Sequence, residues 1–437
     1  MSSYTLIVGN RKGECYFPLI VSVGYILITL FLSVAGPIEY YSEAYNKPLS
    51  VLYVVTVTVF LSLGYYIGLS IRIPQTKSTV VPFGKSRTQY LISVSQNVAL
   101  ISIALEFAYL LTIGRFSFSL SSVGSTYLDV DRTGSANIIT IFRFCTAFFR
   151  TAALSLGFCY FQELSQVRRI KTVICTIGVL AIYLFGYGTQ SGIGYLFIYI
   201  VLAVFTNMIR NGSTIKKRTI FLVIILGVIV LFLFSYMQYK RYELVGINAS
   251  NYRYFSTGEY GYNTNHIIFK LFGEKLGFGL STILGSYMSL GYYGLSLCLQ
   301  LPFEWTYGVG HSYAITQLLE KAGVTGILEK TYVMRMQDQF GRNGLSAWNS
   351  IFPWLASDCT WGGVLFVFLV IGLVLGFTWK DVLLHRNSFS YLLFTTLMIL
   401  VFFVPANNAI VHGYDNLIST YSIIIGWILF RKRYEYE

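Results

Sequence analysis

The stretch KLGFGLSTILGSYMSLGYYGLSLCLQLPFE, Lys275–Glu304, has no charge between its end residues and decides how the chain is threaded. By hydropathy alone it passes for a membrane span. Yet Gly277, Gly279, Gly285, Gly291 and Gly294, with Ser281, Ser286, Ser289 and Ser296, are poor material for a helix facing lipid. If it crossed fully, Lys380, Arg386 and the tail Arg431-Lys432-Arg433 would change sides. We read residues 276–303 as re-entrant or interfacial helices packed within protein, where broken backbone is tolerated. The segment then belongs to one long outer region, Gln238–Thr360, of 123 residues.

Outward from this region the chain reads as plain membrane helices. It is 437 residues long, 55% hydrophobic and only 12% charged, about half the charge of a soluble domain. Apolar runs near span length predict seven helices before the region: Phe17–Gly36, Leu49–Ile71, Tyr90–Ile113, Ile138–Phe161, Thr172–Gly188, Ser191–Met208 and Thr219–Met237. Three follow it: Trp361–Thr378, Phe389–Pro405 and Tyr414–Phe430. The expected architecture is all-α and polytopic, with about ten spans. Residues 1–237 hold spans one to seven, 238–360 the outer loop, and 361–437 spans eight to ten with the tail. The first run ends in Ser33-Val34-Ala35 like a signal peptide, but it is long enough to span and is read as a retained helix.

With the N-terminus inside, the inner segments collect eighteen Lys and Arg, including Arg11, Lys12, Arg72, Lys77, Lys85, Arg87, Arg168, Arg169, Lys171, Lys216, Lys217 and Arg218. The short outer loops collect three: Lys47, Arg115 and Arg132. By the positive-inside rule both termini are cytoplasmic and the long loop faces out. The same distribution explains the net charge of +13 without nucleic acid as a partner. Of six cysteines, Cys145, Cys159 and Cys175 read as small buried hydrophobes, while Cys298 and Cys359 share the outer compartment and could pair. No spacing resembles a zinc site, a phosphate-binding glycine loop, a DxD motif or GxSxG, which argues against a nucleotide-dependent cytoplasmic enzyme or an ATP-driven pump.

Charges within spans are the first functional candidates. Glu106 lies in the third span; Arg143 and Arg150, seven apart on one helix face, lie in the fourth. Two readings stand: a Glu–Arg tie between helices, or arginines gripping a lipid-linked phosphate through the bidentate guanidinium fork. Lys240 and Arg241 follow the seventh span at headgroup depth, where snorkelling and phosphate contact are both open. The outer loop holds 22 aromatic residues, more than an interfacial belt at its ends requires, and suggests sugar faces stacking on rings. Within it, His311 follows Tyr307-Gly308-Val309-Gly310 and opens a helix, His311–Lys321, that Gly323 would end. His311 is the favoured general base for a sugar hydroxyl, with Glu304 and Asp358 as rivals; a structural histidine, or an N-cap role for Asp358, is the plain alternative. His266 reads as part of a mobile tyrosine-rich stretch and His412 as a turn residue. The candidate substrate-binding residues are Arg241, Arg143, Arg150, Lys240, Arg342, Tyr307 and Asn349.

The run GLSAWNSIFPWLASDCTWGGVL, Gly344–Leu365, together with the span count and the late outer loop, resembles the bacterial O-antigen polymerases, the Wzy-type proteins. Asn349, Ser350, Asp358 and Gly362–Gly363 stand where that family has an Asn with a small hydroxyl residue, then Asp with Gly, entering a span. Gly188-Thr189-Gln190-Ser191-Gly192 departs from it, since relatives often have an arginine there. The resemblance implies a metal-independent glycosyltransferase of GT-C type in the inner membrane. It would move a growing glycan from undecaprenyl diphosphate onto a new lipid-linked repeat unit at the periplasmic face. Implied partners are those lipid-linked oligosaccharides, membrane lipid and a chain-length regulator protein. An O-antigen ligase is the nearest enzymatic alternative. A lipid-linked oligosaccharide flippase is the transporter alternative; it would lack such a loop and show pseudo-repeats.

Overall fold

The computed structural model describes residues 12–71, 86–116, 137–211, 217–256, 258–385 and 387–430. Its elements in chain order are α1 (Phe17–Ala35), β1 (Ile38–Tyr40), α2 (Lys47–Ser70), α3 (Arg87–Thr112), α4 (Ile138–Cys145), α5 (Ala147–Cys159), α6 (Gln166–Ala181) and α7 (Ser191–Arg210). They continue with α8 (Lys217–Leu244), β2 (Tyr260–Tyr262), α9 (Ile267–Ser281), α10 (Gly291–Cys298), α11 (Tyr313–Lys321), α12 (Tyr332–Phe340), α13 (Phe352–His385), α14 (Ser388–Phe402) and α15 (Tyr414–Phe430). Capping explains several starts. Asn46, Ser86 and Asn137 each accept the amide three residues on, satisfying a donor the helix leaves unpaired.

The chain is an all-α polytopic membrane protein. Seven described helices are long and apolar enough to cross a membrane, or eight if the bent pair α4–α5 is one span. The fourth expected span is thus two helices meeting at 47°, and Cys145 at their joint is exposed rather than buried. The ninth is only 15 residues long, because α14 ends at Phe402, before Pro405. The seventh runs past its expected end to Leu244, and α13 breaks at Thr360, so its second part begins where the eighth span is expected, after a short helix from Phe352. Arg72, Lys77, Lys85, Arg132, Lys216, Arg386 and the tail, on which much of the charge asymmetry rests, lie outside the described residues.

The chain divides into two compact units. The first comprises residues 1–75, 249–381 and 396–413. Its centre is the crossing of α2 and α13. A Cβ on Gly64 or Gly68 would meet the Leu369 or Leu373 carbonyl, and one on Gly372 or Gly376 the Leu61 or Tyr65 carbonyl, all within 2.4 Å. Two small-xxx-small faces therefore touch backbone to backbone, as membrane helices do where no water drives association. The Lys380 ammonium caps the end of α2 through the carbonyls of Leu69 and Ile71, at 2.8 and 2.7 Å.

The glycine-rich segment lies inside this unit. It forms the end of α9, a π-helical turn (Thr282–Tyr287) and the short α10, none of span length. Tyr292, Tyr293, Leu295, Leu297 and Cys298 are buried. The glycines serve close approach: a Cβ on Gly291 would strike Pro405 O, and one on Gly294 the Asn349 side chain. The tyrosine-rich stretch before it contributes to the core through Tyr252, Tyr260 and Tyr262, while Tyr254 and Phe255 are exposed. β2 pairs antiparallel with β1, Tyr252 and Tyr262 pack on Phe278, and His266 caps α9. Cys298 and Cys359 are both free thiols, so that pair does not form.

The second unit comprises residues 76–248, 382–395 and 414–437. Here α3 packs on α5 and α6, and α5 on α7 and α15. Small polar groups join the helices: Thr146 to Ser102 at 2.8 Å, Gln96 to Thr172 at 2.9 Å and Ser419 to Thr151 at 2.9 Å. The helix α8 is apolar all round and buries only Ser235, Met237, Gln238 and Arg241, at its C-terminal end.

Candidate functional site

The candidate catalytic site lies in the first unit, where residues 304–313 meet the start of α13. Tyr307 (φ 59°) and Gly308 (φ 80°) are consecutive left-handed residues. A non-glycine residue there is strained, and such strain marks functional turns. The turn aims the amides of Gly310 and His311 at Asp358. Gly310 N–H donates to Oδ1 at 2.9 Å and His311 N–H to Oδ2 at 2.8 Å. The Thr306 hydroxyl also donates to Oδ1, and His311 Nδ1 lies 2.8 Å from Oδ2. Two residues on, Thr360 (φ 64°, ψ 170°) breaks α13. Asp358 is thus no N-cap. The span helix begins beyond Thr360, and the Asp358 carboxylate is spent on the turn and the imidazole instead of on that helix's amides.

A carboxylate on Nδ1 makes that atom the N–H and Nε2 the basic nitrogen. The backbone of His311 is clamped as well: Asn408 Nδ2 donates to His311 O at 2.9 Å, and the Ser312 hydroxyl to Val411 O. Ser312 also caps α11, which runs to Lys321 with Gly323 left-handed after it, as the spacing predicts. Beside the dyad, Trp305 and Tyr307 are exposed with ring centroids 5.1 Å apart, and Lys330 reaches the Tyr307 hydroxyl at 3.2 Å. Tyr252, Tyr260, Tyr262 and Trp354 are buried, so part of the aromatic density is core; of the exposed rings, which include Tyr254, Phe255, Phe272 and Phe303, Trp305 and Tyr307 are the pair that flanks Thr306 at the dyad.

His412 belongs to the packing. It stacks on Tyr313 and meets the edge of Trp354, both at 5.4 Å. Burial pushes its imidazole down to about 4. The unfolded chain, near 6.5, binds more protons between these values, so stability falls as pH drops through that window. From pH 7 to pH 5 this is worth about 2 kcal/mol. We expect the melting temperature in detergent to fall over that range, and His412→Phe to remove part of the fall. An equal fall in both proteins would refute this placement.

A second cluster lies in the second unit. Glu106, buried on α3, accepts from Arg150 Nη1 at 2.7 Å and Arg143 Nη1 at 3.1 Å. Tyr187 donates to the same carboxylate at 2.7 Å; the π-helical turn Ile182–Gly186 just before it sets the position of this ring. Asp415, at the start of α15, lies 3.3 Å from Arg143 Nε. The inter-helix tie is therefore present, and Asp415 adds a fourth charge.

No family model, curated protein or solved structure matches this chain.

The remaining candidates fare differently. Glu304 pairs with Arg335 at 2.6 Å. Arg342 is 2% exposed and donates to Asn349 Oδ1, Glu259 Oε2 and Trp348 O at 2.8–2.9 Å. The Asn349 amide donates to Gly344 O and Ala347 O. Arg342 and Asn349 are thus an internal truss rather than a binding surface. Arg241 is buried and donates to Gly188 O at 2.9 Å. Lys240 is exposed and pairs with Glu243. Sequence reasoning did not single out Thr306, Tyr187, Arg335 or Asn408. Among the described residues no three His, Cys, Asp or Glu side chains group as metal ligands.

Proposed function

We propose that the protein is an oligosaccharide repeat-unit polymerase, an integral-membrane glycosyltransferase of the bacterial inner membrane acting on polyprenyl-diphosphate-linked glycan. The observation that carries this reading is the His311–Asp358 dyad beside the exposed Trp305 and Tyr307 rings. In the proposed reaction the acceptor hydroxyl oxygen bonds to the anomeric carbon of the donor glycan. The bond from that carbon to the diphosphate oxygen breaks, and undecaprenyl diphosphate leaves with the electron pair. The hydroxyl proton passes to His311 Nε2, while Asp358 holds the tautomer and offsets the imidazolium charge. Separately, Arg143 and Arg150 of the second unit are proposed to bind a phosphate-bearing anion. Arg241 supports the same reading, because its guanidinium meets Gly188, within the segment where relatives often have an arginine.

The glycan ladder of a deletion strain tests the reading. A single repeat on the lipid core is expected; absence of any repeat would instead indicate a ligase or a flippase. The proposed topology has both termini cytoplasmic and residues 238–360 periplasmic. Reporters fused after Phe255 and after Tyr332 should both be external, and a cytoplasmic signal at the second would overturn the arrangement.

A further inference from the structure

The four-charge cluster of the second unit is asymmetric. Glu106 is locked: its side chain is 3% exposed, and its two oxygens take Arg150, Arg143 and the Tyr187 hydroxyl at 2.7–3.1 Å. Asp415 is not. Its side chain is 30% exposed, and among the described residues Oδ2 makes only the 3.3 Å contact with Arg143 Nε while the buried Oδ1 has no hydrogen-bond partner. Charge-assisted N–H···O bonds normally run about 2.7–2.9 Å, so this is a weak pairing. The Arg143 side chain is 20% exposed, more than Arg150 at 11%. Its guanidinium is steadied by the Phe144 and Tyr187 rings, at 4.9 and 5.5 Å, and by the Tyr187 hydroxyl at 2.7 Å. With Asp415 in place the two arginines and two carboxylates cancel. Without it the cluster carries one net positive charge on a preset guanidinium.

We propose that Asp415 is a displaceable counter-ion, a built-in competitor that holds the outer edge of Arg143 until a phosphate-bearing anion replaces it. That the anion is a lipid-linked diphosphate rests on the polymerase reading; the displacement itself does not. Phe144 stacks near Tyr414, the neighbour of Asp415, with centroids 5.1 Å apart. Release of Asp415 would therefore act next to a ring contact that joins α4 to α15.

The test uses the full-length protein in detergent with two probes, inorganic pyrophosphate and farnesyl diphosphate. Asp415→Asn keeps the shape and removes the charge, and should tighten binding at least tenfold. Tightening for both probes identifies phosphate chemistry alone as the requirement; tightening for farnesyl diphosphate alone identifies a lipid-linked ligand. Arg143→Gln should abolish the gain. Asp415→Glu, whose longer carboxylate reaches the guanidinium fully, should weaken binding several-fold and serves if the Asn variant does not fold. Unchanged or weaker binding by Asp415→Asn, or unchanged binding by Asp415→Glu, would overturn the proposal. Because no glycan transfer is measured, this result stands apart from the ladder of the deletion strain.

Discussion

His311→Ala should lower glycan transfer by about a hundredfold or more, the usual contribution of a positioned general base. That factor corresponds to about 2.7 kcal/mol of barrier. The expectation follows from how much of the local structure is committed to the imidazole. A strained Tyr307-Gly308 turn, two amides and the Thr306 hydroxyl all converge on Asp358, which in turn holds Nδ1. Asp358→Asn should cost at least as much. Each of its oxygens accepts from a backbone N–H, so whichever atom becomes the amide NH2 must face a donor. The decisive measurement is single-turnover transfer by purified enzyme alongside binding of the lipid-linked substrate. Lost turnover with retained binding is expected from His311→Ala. Transfer near the wild-type rate would make His311 a structural residue.

Arg342→Ala should unfold the first unit rather than spare the fold and weaken substrate binding. The guanidinium is buried, bonded to three acceptors and stacked 4.9 Å from the Tyr293 ring. Its removal strands Glu259, whose carboxyl burial already pushes up against the pull of Arg342. It also strands Asn349 Oδ1 and the Trp348 carbonyl. Breaking a buried pair by deleting one partner costs roughly 3–5 kcal/mol. Arg342→Lys should recover little, since one ammonium cannot reproduce the planar three-way fork. A large drop in melting temperature and in membrane-extracted yield is expected for both variants. A normally stable Arg342→Ala protein that has lost only substrate affinity would restore Arg342 to the binding residues.

The sequence by itself determined what is local. Apolar runs located the long helices, because span length and composition are properties of a contiguous segment. The helix after His311 and its stop at Gly323 were legible for the same reason, although its cap is Ser312 and its first residue Tyr313, as capping chemistry sits within a few residues of the helix it serves. Glu106, Arg143 and Arg150 stood out as charges in apolar runs, and desolvation cost made them candidates before any partner was known.

Tertiary structure alone decided what each polar group spends its charge on. Arg342 and Asp358 were equally plausible as site residues in the sequence. One is sealed in an internal truss, while the other clamps a histidine 47 residues away. The aromatic density of residues 238–360 divides likewise into core rings such as Tyr262 and exposed rings such as Trp305 and Tyr307. The same holds for the glycines of Lys275–Glu304, whose use is the close approach of Pro405 and Asn349. Burial, pairing and backbone contact join residues far apart in the chain, and hydropathy carries no information about which distant group will arrive.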